Sequence, residues 1–352
     1  MRRTQLKILF GLVLCSGLVI YPAYTTSLMT TTPVLTVSPG PESVSKTTSL
    51  HERLVLTGDV MLGRHVEFLM NQRGASYPFA GVRDWLKATG TKTVINFESA
   101  MATPHVRTPA YTMQFSTNAY FLEVLTEINV VAASLANNHS SDYGVAGYTK
   151  TVEALAANNI ATFGQATTFD STAITYIAVD KVTVALVGLH TLFTAVPLEQ
   201  LQSIMAVASA NSDMQIAYVH WGEEYVLIHN AAQERIAHQL IDAGADLVVG
   251  HHPHVTQDIQ TYNNVPILYS LGNFVFDQYF SIDVQEGLLV ALQFSGSNYS
   301  LSLHPHSSVG THSQPYLMSV DSRQDFLRAL AKRSDPAIAS TIKAGVITGT
   351  FK

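Results

Sequence analysis

The chain has 352 residues, a formal net charge of −6, 47% hydrophobic residues and only 13% charged ones, about half the usual share. That composition gives ample surface for a core and excludes a disordered chain, a collagen and a coiled coil. With 20 basic residues against 26 acidic ones and no basic stripe, nucleic acid is excluded as a partner, and the single cysteine, Cys15, excludes internal disulfides and Cys-x-x-Cys redox chemistry.

Arg2, Arg3 and Lys7 precede an uncharged apolar run over residues 8–20, the pattern of an export signal. The best small-x-small cleavage site is Ala23-x-Thr25, which is poor. Residues 1–24 are therefore expected to be a retained cell-membrane anchor with the body outside, the alternative being secretion after cleavage. Residues 25–48 are rich in Thr, Ser and Pro and read as a tether. A domain is expected over 49–295, with a C-terminal extension over 296–352 packing on it.

Apolar, β-branched runs predict buried strands at 53–57, 93–96, 130–134, 182–189, 215–220, 246–249 and 265–269. Helical patterns lie at 120–128, 147–158, 231–243 and 323–332, the third ending at Gly244, where a helix stop is expected. Nearly continuous apolar strands separated by helices predict an α/β fold covered on both faces. Asp59, Glu98, Asn137, Asn138, His139, His220 and His251-His252-Pro253-His254 each follow one of those strands directly. In open α/β sheets the carboxyl ends of strands converge on a ligand crevice, which makes one shared site the working expectation.

The chemistry of that set is specific. Carboxylate, amide and imidazole donors without sulfur suit manganese, zinc or iron. Asp59, Glu98, Asn138, His220, His252 and His254 are the candidate ligands for one or two such ions. Two cations about 3.5–4 Å apart clamp the attacking and leaving oxygens of a displacement, and His139 is the candidate general acid. Arg64, Asn137, Glu223, His251 and Asn273 are candidates for binding substrate or orienting ligands, with Glu224 the alternative to Glu223. Taken singly, Gly58-Asp59 is ordinary turn chemistry, and Asn137-Asn138-His139 is an Asx-rich loop. Three imidazoles around Pro253 serve little packing purpose, and it is the conjunction that points to a site. His190 stays open between roles; His105, His229, His238, His304, His306 and His312 read as surface or structural.

Six segments carry a resemblance. They are Gly58-Asp59-Val60-Met61-Leu62-Gly63-Arg64, Asn96-Phe97-Glu98, Ser134-Leu135-Ala136-Asn137-Asn138-His139, His220-Trp221-Gly222-Glu223-Glu224-Tyr225, Gly250-His251-His252-Pro253-His254-Val255, and residues 270–278, Ser-Leu-Gly-Asn-Phe-Val-Phe-Asp-Gln. In that order they resemble the CapA family of bacterial poly-γ-glutamate capsule synthesis proteins, which is similar to the calcineurin-like metallophosphoesterases. The resemblance implies a four-layer α/β/β/α metallophosphatase-like sandwich, usually exported and membrane-anchored. It implies an anionic envelope polymer such as poly-γ-glutamate as ligand and capsule synthase and exporter subunits as partners. The wider metallophosphoesterase pattern has a His where Met61 stands, and a central Asp where Asn96-x-Glu98 stands. One metal position is thus complete on paper and the other lacks a ligand. Two functions follow: a metal-dependent hydrolase or transferase, or a non-catalytic polymer-binding subunit. No Gly-x-Ser-x-Gly elbow and no phosphate-binding loop with Lys occurs, which disfavours a serine hydrolase and an ATP-driven ligase.

Overall fold

The computed structural model describes residues 53–88, 91–109, 112–193 and 195–351. The expected anchor and tether lie outside the described residues, and among those described no helix is long and apolar enough to cross a membrane.

Strands β1 (Arg53–Val60), β2 (Thr91–Phe97), β3 (Val130–Ser134) and β4 (Ala161–Phe163) lie parallel, side by side. The chain then builds a second sheet from β5 (Ile174–Val179), β6 (Val182–His190), β7 (Met214–His220), β8 (Leu247–His251), β9 (Ile259–Tyr262) and β10 (Val265–Leu268). It returns to the first sheet through β11 (Asn273–Val275), which pairs parallel with β1. There it adds β12 (Glu286–Ser295), β13 (Asn298–Ser307), β14 (Tyr316–Leu317) and β15 (Val346–Thr350). Helices α1 (Arg64–Arg73), α2 (Arg83–Ala88), α3 (Gly144–Ala157), α4 (Leu198–Ala210), α5 (Ala231–Asp242), α6 (Val320–Arg333) and α7 (Ala339–Ala344) fill the connections.

Side chains alternate across a strand, and here both faces are apolar. Leu54 and Leu56 of β1 meet Val184, Leu186, Ile216 and Tyr218 of β6 and β7 in a core between the two sheets. Val55 of β1 faces the other way, with Ile95 and Leu289, into a core shared with Val66 and Met70 of α1 and Leu155 of α3. Ala185, Val187 and Val219 on the far side of the second sheet pack on Leu201 and Met205 of α4 and Leu240 of α5. The order is helices, sheet, sheet, helices. Burial on both sides is why these strands read as unbroken apolar runs.

The structure changes two local expectations. Residues 120–128 form a 3-10 helix (Ala119–Ile128), capped by Asn118, whose side chain accepts the Tyr120 N–H at 3.0 Å, and it ends at Asn129 with φ 54°. Residues beyond 295 do more than pack on the domain: β13 pairs with β12 over ten residues and continues the first sheet. Its Ser and His content hides the alternation that buries Tyr299, Leu301 and Leu303. The same strand carries His306, buried against Phe274 with ring centroids 5.4 Å apart, and neither ring nitrogen has a partner.

Candidate metal centre

The strand ends place two rows of polar residues opposite each other. In the first sheet the register aligns Asn273, Asp59, Asn96 and Ser134 across β11, β1, β2 and β3. In the second it aligns His190, His220 and His251 across β6, β7 and β8. Close approach of β1 to the turn before β11 requires glycine at 58: a Cβ there would meet the Gly272 carbonyl oxygen at 1.9 Å. Beneath the site, the Tyr218 hydroxyl donates to the Thr57 carbonyl at 3.1 Å and ties the sheets together.

Asp59 is fully buried. Its Oδ1 accepts from Asn96 Nδ2 at 2.8 Å and lies 3.2 Å from His251 Nδ1; its Oδ2 lies 3.2 Å from His254 Nδ1. Burial works to raise this carboxyl, but hydrogen bonds and charge from His251 and His254 prevail and hold it well below the usual carboxylate range. Glu98, also fully buried, takes one Asn96 proton on Oε1 at 2.9 Å, while burial and then the Asp59 charge push its carboxyl well above the usual range. Asn96 is the hub: its Nδ2 serves Asp59, Glu98 and, at a longer 3.3 Å, His220 Nδ1, while its Oδ1 accepts from Asn137 Nδ2 at 3.1 Å. Sequence reasoning left Asn96 as a motif member only.

Asn138 Oδ1 accepts from His220 Nε2 at 2.8 Å, and Asn138 Nδ2 lies 3.1 Å from His139 Nε2. The other nitrogen of His139 is 2.9 Å from Asp142 Oδ2, and its ring stacks on Phe115 at 3.7 Å. Burial, then the nearby His252, holds the His220 imidazole well below its usual range. Burial and His254 push His252 down to about 3. His252 and His254 have φ of 97° and 58°, a left-handed backbone costing about 1–3 kcal/mol per non-glycine residue. Asn273 Oδ1 lies 2.9 Å from His254 Nδ1.

Of the sequence candidates, Asp59, Glu98, Asn137, Asn138, His139, His220, His251, His252, His254 and Asn273 come together here. Two others lie outside this buried cluster. The donors of Arg64 are engaged by Asp277 and the Thr112 carbonyl, and its guanidinium lies 4.4 Å from the Phe115 ring centroid. Its charge is paired with Asp277, and the residue lines the same cavity as His139 and Glu224. Glu223 is exposed and lines a different cleft, beside Trp221 and Arg235; Glu224 is the acid on the side of the centre. Trp221 is a buried packing wall whose indole N–H donates to the Tyr269 carbonyl at 2.8 Å. A cavity of about 570 Å³ opens beside the centre, with His139, Glu224, His254, Phe115, Tyr225 and Phe280 in its lining.

Two groups have donor atoms within 4.8 Å of one another: Asp59 with Glu98 and His254, and Glu224 with His252 and His254. Glu98 Oε2, His251 Nε2 and His252 Nδ1 are buried without a partner, and each such group costs about 1–3 kcal/mol unless something satisfies it. Metal-competent atoms left bare around two carboxylates, with nitrogen and oxygen ligands alone, fit a divalent cation.

The bacterial capsule synthesis protein PGA_cap family model matches residues 53–278. The capsule biosynthesis protein CapA of Bacillus anthracis is 34% identical over 251 residues, 65% of this chain and 61% of that protein. The PGA biosynthesis protein CapA of Bacillus subtilis (strain 168) is 34% identical over 237 residues, 63% of this chain and 62% of that one. The chain thus spans less than two thirds of the length of either relative. Among solved structures, a hypothetical protein from Thermus thermophilus superposes with a TM-score of 0.46 and 14% identity, over 76% of this chain and 98% of that one. A phosphatase from Mycoplasma pneumoniae gives 0.43 and 12%, over 76% and 91%. The family match begins with β1, ends just beyond β11 and takes in every strand-end group of the centre, so the chain belongs to the PGA_cap family of bacterial capsule synthesis proteins.

Proposed function

We propose that the protein serves synthesis of a capsule polymer, poly-γ-glutamate or a related anionic envelope polymer, as a metal-dependent hydrolase or transferase of the metallophosphoesterase type. The observation that carries this reading is the set of buried, unpartnered polar atoms of Glu98, His251 and His252, gathered around Asp59 at the strand ends. A cation displacing any proton on these groups would satisfy them, whereas a purely structural loop leaves them bare. The N-terminal basic residues and apolar run support a membrane-anchored chain with its body outside, beside synthase and exporter subunits.

Asp59, Glu98, Asn138, His220, His252 and His254 would hold one or two ions of manganese, zinc or iron. Such an ion supplies Lewis-acid polarisation of a phosphoryl or carbonyl oxygen. The chain supplies the rest. His139, fixed by Asp142 and by stacking on Phe115, sits on the cavity wall where a leaving group needs a proton. Asn96 and Asn137 fix the carboxylates and the loop that carries Asn138 and His139. Phe115, Tyr225 and Phe280 give the cavity an aromatic wall, with Phe115 buried and the other two exposed to solvent.

A non-catalytic polymer-binding subunit is the second reading, favoured by Met61. Its sulfur is buried and accepts the Gly63 N–H at 3.0 Å, so it offers nothing to a cation.

The test is bound metal in the purified full chain by elemental mass spectrometry, beside an Asp59→Ala/His254→Ala double variant, followed by phosphoester and polymer-cleavage assays. Near-stoichiometric metal lost in the variant, with cleavage by the wild type, is expected. Metal without cleavage of either substrate class would favour the binding subunit. No metal after incubation with manganese, zinc and iron would end the hydrolase reading.

A further inference from the structure

We propose that Glu224 is a cation ligand, supplying from the loop after β7 the donor that Met61 withholds. The inference rests on the metal-holding reading above and assigns it a residue.

The side chains are already assembled. Donor atoms of Glu224, His252 and His254 lie within 4.8 Å of one another, a span that small side-chain rotations close around an ion with ligands at about 2.0–2.2 Å. Hydrogen bonding then selects which nitrogen of His254 is available. Asn273 Nδ2 donates to the Val284 carbonyl and to Gln278 Oε1, both at 3.0 Å, which turns Asn273 Oδ1 toward His254 Nδ1. Nδ1 of His254 must therefore carry the proton, shared between Asn273 Oδ1 at 2.9 Å and Asp59 Oδ2 at 3.2 Å. That leaves Nε2 with the lone pair, the arrangement in which an oxygen acceptor orients a ligating imidazole. Binding through Nδ1, beside Asp59 and Glu98, would break the bond to Asn273; binding through Nε2 keeps it.

The loop that carries Glu224 is fastened to the imidazole loop. Tyr225, at φ 65°, donates its backbone N–H to the Pro253 carbonyl at 2.8 Å, between the two histidines in sequence. Gln278 Nε2 also donates to the Tyr225 hydroxyl at 3.0 Å. Glu224 is thereby held half-buried on the cavity wall, while the chemically identical Glu223 faces a separate cleft. An acid kept on the surface for solubility has no need of that staple. Met61 leaves one ligand position short on the β1 side, and Glu224 brings a carboxylate from the facing sheet.

Glu224→Gln keeps the shape and removes the charge; Glu223→Gln is the control. Each full chain is stripped, its fold checked by thermal melting without metal, and titrated with Mn(II) or Zn(II) by calorimetry. A parallel sample is loaded with Co(II), whose visible bands report the ligand set. The proposal expects Glu224→Gln to weaken binding of at least one ion by at least about tenfold and to change the cobalt spectrum, with Glu224→Asp restoring part of both. Glu223→Gln should match the wild type within about twofold. If Glu224→Gln matches the wild type in affinity and spectrum while Asp59→Ala loses metal, Glu224 is not a ligand and the metal centre stands without it. If weakened affinity comes with an unchanged cobalt spectrum, Glu224 acts only as a nearby charge and the proposal is overturned. If the wild type binds no ion, the proposal and the reading beneath it fall together.

Discussion

His139 and Asp142 form a dyad within one loop: His139 Nδ1 lies 2.9 Å from Asp142 Oδ2, and the same oxygen accepts the Phe115 backbone N–H at 2.6 Å. One carboxylate thus fixes both the imidazole and the aromatic residue it stacks on. In Asp142→Asn, turnover in whichever cleavage assay reports activity should fall by about tenfold to a hundredfold, below the full worth of a general acid, with metal content unchanged. Equal loss of metal would instead make Asp142 a support for the Asn138 loop.

A methyl group at 58 has nowhere to go, because the obstacle is the Gly272 backbone rather than a movable side chain. Gly58→Ala should cost about 1–3 kcal/mol or more, read as a lower denaturation midpoint in urea. Because the shift displaces Asp59 from Asn273, metal affinity should fall with it. Unchanged stability and affinity would mean that the contact between β1 and the turn before β11 is looser than the geometry implies.

His306 should make the protein acid-sensitive for a reason unconnected with its chemistry. Burial pushes this imidazole down to about 3 from its ordinary value of 6.5. Below pH 6.5 the unfolded chain takes up a proton that the folded chain refuses, so its contribution is full above pH 6.5 and is lost as the pH falls toward 3. Between about pH 7 and pH 4.5 the wild type should lose roughly 2–3 kcal/mol more than His306→Leu. Urea denaturation at the two pH values measures this directly, and parallel pH profiles would remove His306 as the cause.

The start of α5 offers a test of local stability in a helix that supplies no ligand. The Asn230 side chain accepts from the backbone of Ala232 and Gln233, and Gln233 returns the contact to the Asn230 N–H, each at 3.0 Å. Loss of that cap in Asn230→Ala should cost about 1 kcal/mol. Thermal or urea melting should show the loss with metal content intact; no change in stability would mean that water replaces the cap.

The central strands and most site residues were legible because both signals are local. Apolar runs buried on two faces stand out, and ligand types following each run need no knowledge of partners. Edge elements were less legible. β13 reads Asn-Tyr-Ser-Leu-Ser-Leu-His-Pro-His-Ser, where serine and histidine dilute the alternation that β12 satisfies. The choice between Glu223 and Glu224 was invisible for another reason: two adjacent acids differ only through the backbone turn at Gly222 and Tyr225, with φ of 84° and 65°. Arg64 announced a cation, but its neutralising partner, Asp277, lies 213 residues further along.

The pairing of β11 beside β1 also sets a timetable. Asp59 leaves the ribosome early, whereas His254 and Asn273, which surround its carboxylate, emerge roughly 10 to 40 s later at ordinary rates of synthesis. Until then the aspartate has β2 beside it but neither its imidazoles nor β11, and no partial chain contains the centre. Any ion is therefore acquired by a finished fold, from whatever compartment the last strands reach, and the choice of metal belongs to that compartment as much as to the ligands.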